Sequence, residues 1–137
     1  MIRPIVTDIF SLNRKAAPAG QEDLSTARDL IDTLRANSDR CVGMAANMIG
    51  VNKRIIVVSL GGIPVVMLNP VILWKSPETY EAEEGCLSLQ GVRSVLRHQS
   101  IEVSYQDMMF RTHHQTYSGF LAQIIQHEVD HCEGILI

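Results

Sequence analysis

The segment Gln126-His127-Glu128-Val129-Asp130-His131 constrains this chain more than any other, because its chemistry needs an α-helix to bring the side chains together. Residues four apart on a helix lie one turn above each other, so His127 and His131 can direct ring nitrogens at one cation. Glu128 is offset around the same helix and reaches a water at that cation rather than the cation itself. The helix is predicted from Phe120 to His131, entered through Ser118-Gly119, with Leu121, Ile124 and Ile125 among its buried positions. A pair of surface histidines on a C-terminal helix is the plain alternative.

With 137 residues, 46% of them hydrophobic, the chain has the size of one ordinary domain and enough apolar side chains for a core. The expected organisation is one domain over residues 1–137. A net charge of −3, with no basic cluster longer than Lys53-Arg54, argues against nucleic acid or an anionic membrane as a partner. The N-terminal Met1-Ile2-Arg3-Pro4 has no apolar run fit for a signal peptide or a span, so a cytoplasmic protein is expected. Cys41, Cys86 and Cys132 are odd in number, which speaks for reduced thiols rather than a disulfide framework.

Apolar residues at Leu24, Ala27, Leu30, Ile31 and Leu34 form a helical stripe that predicts the first helix over Gln21–Ala36. Cys41–Gly50 is rich in small residues and lacks a clean period, as expected of a loop or strand that lets another group approach its backbone. Strand texture follows. Arg54–Leu60 and Ile63–Leu68 flank Gly61-Gly62, a two-residue hairpin turn. Val71–Trp74, Thr79–Glu83, Val92–Arg97, Ile101–Tyr105 and Thr112–Tyr117 are further short strands. The layout predicts an α+β fold, with antiparallel strands packed around a C-terminal metal-binding helix and an N-terminal helix.

Two histidines need a third ligand for a catalytic centre. Glu133 lies two residues past His131, about 200° around a continuing helix, and faces away. The upstream segment Glu83-Glu84-Gly85-Cys86-Leu87-Ser88 supplies a better candidate, because Cys86 follows a glycine in a polar connection where a thiolate meets solvent or a cation. A buried small hydrophobe is the other reading of Cys86. Cys41 and Cys132 are expected to be structural thiols, and His98, His113 and His114 to lie on the surface. Glu84 is a candidate to orient a ligating imidazole, and Asp130 a candidate to pair with an arginine such as Arg97.

Three segments in order, Cys41-Val-Gly-Met-Ala-Ala-Asn-Met-Ile-Gly50, Glu84-Gly-Cys-Leu-Ser88 and His127-Glu-Val-Asp-His131, resemble the signature of the peptide deformylases. The resemblance runs from the first helix to the end of the chain and marks it as a short form with a degenerate first motif. It implies a metal-dependent hydrolase that removes the N-formyl group from N-formylmethionyl peptides or nascent chains, in bacterial or organellar protein biosynthesis. It implies one divalent metal ion, natively often Fe(II), with Zn(II), Ni(II) or Co(II) equally suited to one thiolate and two imidazoles. The implied ligands are Cys86, His127 and His131, and Glu128 is implied as the general acid/base that passes a proton from water to the departing amine. The backbone N–H of Leu87 is implied as an oxyanion donor. Val42, Gly43, Gly85, Phe120 and Ile124 fall where the resemblance places the substrate, with ordinary packing the alternative for the apolar ones. Gln123 would be a polar intrusion there.

The first motif departs from the family's pattern at three places. Cys41 stands for its first Gly, Asn47 for the usual Pro, and Met48 for the Gln whose amide completes the oxyanion site. A thioether cannot donate a hydrogen bond, so Met48 predicts reduced turnover unless the Asn47 amide shifts into the gap. Two other readings remain at this level: a metal- or peptide-binding pseudoenzyme, and a metallopeptidase that cuts internal peptide bonds.

Overall fold

The run Ile55-Ile56-Val57-Val58 is β-branched throughout and buried on both faces, as a strand sandwiched between two layers must be. The computed structural model describes residues 1–137 and places this run in strand β2 (Ile55–Leu60), inside a five-stranded antiparallel sheet. The strand order is β1 (Gly43–Ala45), β2, β3 (Ile63–Lys75), β6 (Ser100–Gln106) and β7 (Thr112–Ser118). Strands β4 (Thr79–Cys86) and β5 (Leu89–His98) pair with each other as a separate hairpin. Gly61 and Gly62 join β2 to β3 with φ of 59° and 84°, the doubly left-handed turn that matches the twist of a hairpin.

Helix α2 (Leu24–Ala36) covers one face of the sheet and helix α3 (Gly119–Cys132) the other. Strand periodicity divides the core between them. Met44, Ile55, Val57, Val66 and Leu68 pack with Ala27, Leu30 and Leu34 of α2. Ala45, Ile56, Val58, Met67, Ile101 and Val103 pack with Ala122, Ile124, Ile125 and Val129 of α3.

The expected α+β layout is present, with four corrections. A single helical turn, α1 (Ile9–Leu12), capped by the Asp8 side chain, precedes the helix expected to be first. That helix begins with a 3-10 turn at Gln21–Asp23 before becoming α-helical at Leu24. Val71–Trp74 is not a separate strand, because β3 runs on through Pro70 by means of a bulge. Asn69 takes φ of 51° at the bulge, and its amide accepts from Ala19 N at 2.7 Å and donates to Gln106 Oε1 at 2.8 Å. Leu121 is half-buried rather than buried.

Candidate metal centre

Strand β4 delivers Cys86 as its last residue, beside a bulge in its pairing with β5, rather than from the open connection expected. Helix α3 presents His127 and His131 toward it, and the three ligand atoms lie within 4.8 Å of one another. His131 Nε2 is 3.2 Å from His127 Nε2 and 3.4 Å from Cys86 Sγ. A tetrahedral cation with ordinary bond lengths to nitrogen and thiolate sulfur spaces such atoms about 3.4 and 3.6 Å apart, so the trio is close to preformed. His131 is fully buried and His127 nearly so, an environment that two imidazoles and a thiol share poorly without a cation between them. The donor chemistry and the spacing both fit a divalent metal.

The β4–β5 hairpin holds these ligands through buried polar contacts to α3. Glu84 accepts from His127 Nδ1 at 2.8 Å, which leaves Nε2 to face Cys86 and His131. Arg97 on β5 grips Glu84 with two bonds of 2.9 and 2.6 Å and reaches Asp130 at 2.6 Å. Gln126 binds the backbone of His98 through both ends of its amide, at 2.9 and 3.0 Å, and so docks α3 to the end of β5. Burial alone would raise the Glu84 carboxyl, but Arg97 and His127 hold it down at about 2. In the metal-free protein burial disfavours charge on His127, yet the Cys86 sulfur and Glu84 outweigh it and raise its pKa to about 10. His131 is pushed the other way, to about 3, by burial and then by the charge on His127.

Glu128 is buried at the floor of a cleft of about 390 Å³, and its Oε1 has no hydrogen-bond partner. Burial raises its pKa to about 7. Gly43 makes room for it: a Cβ there would stand 2.8 Å from Ile124 Cγ2 and 3.0 Å from Glu128 Oε2. Val42, Gly43, Gly85, Phe120 and Ile124 all line the same cleft, as does Leu87, so the residues expected around a substrate are brought together. Ile124 is also part of the core, while Val42 and Phe120 stand exposed at the rim. Leu87 sits in the turn between β4 and β5, where its N–H serves none of the loop hydrogen bonds. Gln123 reaches the cleft and accepts from the Tyr80 hydroxyl at 3.1 Å.

The first motif resolves into β1 followed by a 3-10 turn, Ala46–Ile49, closed by Gly50 at φ 88°. Within the turn Asn47 and Met48 face different neighbours. Asn47 donates its amide to the His131 carbonyl at 3.0 Å, so it braces the end of α3 and does not fill the gap left by the motif's Gln. Met48 points its sulfur at Cys86 Sγ, 4.0 Å away. Cys132 is a core thiol as expected. Cys41 belongs to the cleft wall, donates to Gly43 O at 2.8 Å, and is kept protonated by burial and the nearby Glu128, which raise its pKa to about 12. Of the other histidines, His98 is half-buried with Nδ1 2.7 Å from Ser76 O, and His113 stacks on Tyr105 beside Asp107. Arg97 as the hub of two carboxylates is the feature that sequence reasoning underrated, since its partners are far apart in the chain.

A family model described as polypeptide deformylase matches residues 3–137. A curated peptide deformylase of Clostridium beijerinckii is 56% identical over 137 residues, covering 100% of both chains. The actinonin-bound crystal structure of a class I type b peptide deformylase from Acinetobacter baumannii superposes with a TM-score of 0.90 at 34% identity, covering 99% of this chain and 95% of that one. The Met-Ala-Ser-bound structure of the Acinetobacter enzyme gives 0.86 at 33%, covering 99% and 97%.

Proposed function

Because this chain belongs to the peptide deformylase family, we propose that Cys86, His127 and His131 hold its metal and that Glu128 carries the proton its reaction moves. The protein is a metal-dependent hydrolase that removes the N-formyl group from N-formylmethionyl peptides. The observation that carries the assignment of residues is the convergence of one thiol, two imidazoles and an unpartnered buried carboxylate at one cleft.

A divalent cation bound by the three ligands supplies Lewis acidity toward the formyl oxygen and makes water a stronger acid at neutral pH. Glu128 accepts the proton of the water that attacks the formyl carbon. It then gives that proton to the amine nitrogen as the C–N bond breaks, leaving formate and a free N-terminus. In the metal-free protein burial raises this carboxyl, and its Oε1 has no hydrogen-bond partner, so no other group competes for the proton it takes and returns. The Leu87 N–H donates to the developing oxyanion. Val42, Phe120 and Ile124 contact the methionine side chain, while Gly43 and Gly85 let an extended peptide approach the backbone of β1 and β4. The Acinetobacter relative crystallised with Met-Ala-Ser supports a peptide in this cleft.

Met48 leaves the oxyanion one side-chain donor short, which by analogy with other oxyanion sites slows turnover roughly 100- to 1000-fold. The substrate is a formylated nascent chain, the working compartment is the cytoplasm, and the whole of residues 1–137 acts as one domain. No helix is long and apolar enough to cross a membrane. Fe(II) is the proposed native metal, with Zn(II), Ni(II) and Co(II) as competent substitutes. The test is release of formate from a formyl-methionyl peptide by anaerobic protein loaded separately with Fe(II) and Zn(II). Formate release supports the reading. Cleavage of a blocked peptide lacking formyl, with no formate from the formylated one, would sink it in favour of a peptidase.

A further inference from the structure

We propose that Gln123 is a specificity-determining residue, whose amide N–H donates to an acceptor in the substrate's first side chain, the methionine sulfur or, more strongly, its sulfoxide oxygen. The cleft then discriminates against a hydrocarbon chain of the same length. The inference rests on the deformylase reading made above. Phe120, Gln123, Ile124 and His127 are spaced three and four residues apart on α3 and form one stripe along the cleft. Phe120 and Ile124 offer hydrocarbon, and His127 is committed to Glu84 and the cation. Gln123 is therefore the one member of the stripe with a hydrogen-bonding group to spare, and it stands between the residues that hold the methionine side chain.

A primary amide can present either its oxygen or its nitrogen, and Tyr80 on β4 selects the nitrogen. The Tyr80 hydroxyl donates to Gln123 Oε1 at 3.1 Å. Burial, and then the Glu84 carboxylate, raise the pKa of that hydroxyl and keep it an O–H donor. With Oε1 taken, the N–H groups of the same amide bond no protein atom and stay accessible on a half-buried side chain that lines the cleft. Glu84 does not compete for them, because Arg97 and His127 engage both of its oxygens. A thioether sulfur is a weak acceptor, a sulfoxide is polar, and the matching methylene of norleucine accepts nothing. An analogue without the acceptor leaves the amide unpaired in the closed cleft and is penalised for it.

The test measures kcat/KM for formate release from three peptides that differ only in the first residue: formyl-methionyl, formyl-norleucyl and formyl-methionyl-sulfoxide. Metal-loaded wild type, Gln123→Met and Tyr80→Phe are compared by ratios between peptides, which a general loss of folding or metal leaves unmoved. Gln123→Met should lower the sulfoxide-to-norleucine ratio about 10-fold and the methionine-to-norleucine ratio in the same direction by less. Tyr80→Phe should lower the first ratio part of the way, because the amide is no longer held with its nitrogen toward the substrate. A sulfoxide-to-norleucine ratio that stays at the wild-type value in Gln123→Met, or rises, overturns the inference and leaves the deformylase reading standing. An unchanged ratio in Tyr80→Phe overturns the orienting role of Tyr80. No formate from any of the three peptides with wild type overturns the deformylase reading and the inference together.

Discussion

On β2, Ile55 and Val57 face α2, while Ile56 and Val58, each one residue along, face α3. The two sides of the sheet are equally well filled with aliphatic side chains, yet the helices that cover them differ in kind. Helix α2 buries Ala27, Leu30, Thr33 and Leu34 and sends its charges to solvent, the ordinary division of an amphipathic helix. Helix α3 buries Gln126, His127, Glu128 and His131 along with its apolar residues. Polar groups at that depth are costly unless each has a partner, and the β4–β5 hairpin provides most of the partners through Glu84, Arg97 and the His98 backbone. One face therefore stabilises the fold, and the other uses part of that stability to hold a reactive site. Met48 packs with the α2 layer and touches Cys86, the proposed ligand from β4 that borders the same layer.

The comparison is broken most severely by removing a ligand. His131→Ala should lower metal affinity by more than the roughly 100-fold that loss of a supporting group costs, read as metal retained after dialysis. On the other face, Leu30→Ala should lower stability by about 2–5 kcal/mol in denaturant unfolding while metal content and formate released per folded molecule stay at wild-type values. If that variant loses metal in its folded state, the two faces are not separable.

The faces should also differ in their response to pH. In metal-free protein, burial raises Glu128 from 4.5 to about 7, so the folded state binds more protons than the unfolded one between those values. Its contribution to stability is therefore lost as pH rises from 4.5 through 7. The metal-free Glu128→Gln variant should be more stable than wild type at pH 8 by up to about 3 kcal/mol, from 1.36 kcal/mol per pKa unit, and the gain should fade below pH 4.5. Equal unfolding midpoints at pH 8 would contradict that cost of burial. The smallest change expected is at Glu84, where Gln keeps the shape but loses the charge beside His127 and Arg97. Glu84→Gln should bind metal about 10- to 100-fold more weakly in a competition titration with a chelator.

The α3 face was unusually legible in the sequence because its chemistry is local. His127, Glu128 and His131 sit within one helical turn and a bit, so spacing alone places them, and Cys86 joined them through the Glu-Gly-Cys-Leu-Ser motif. The β2–β3 hairpin was equally plain from Gly61-Gly62. What stayed hidden depends on contacts between distant segments. The continuation of β3 through Pro70 relies on Asn69 bonding to Ala19 and Gln106. The orientation of Asn47 is set by a carbonyl at the far end of the chain, and the place of Cys41 in the cleft wall is set by the docking of α3 against β1. No local pattern reports such pairings.

The most direct test of the central claim, that one carboxylate on the α3 face carries the reaction while its neighbours hold the metal, is formate released per bound metal by Glu128→Gln. The account predicts metal content equal to wild type and a rate lower by at least about 100-fold. Wild-type turnover per metal, or a loss of rate that merely follows a loss of metal, would contradict it.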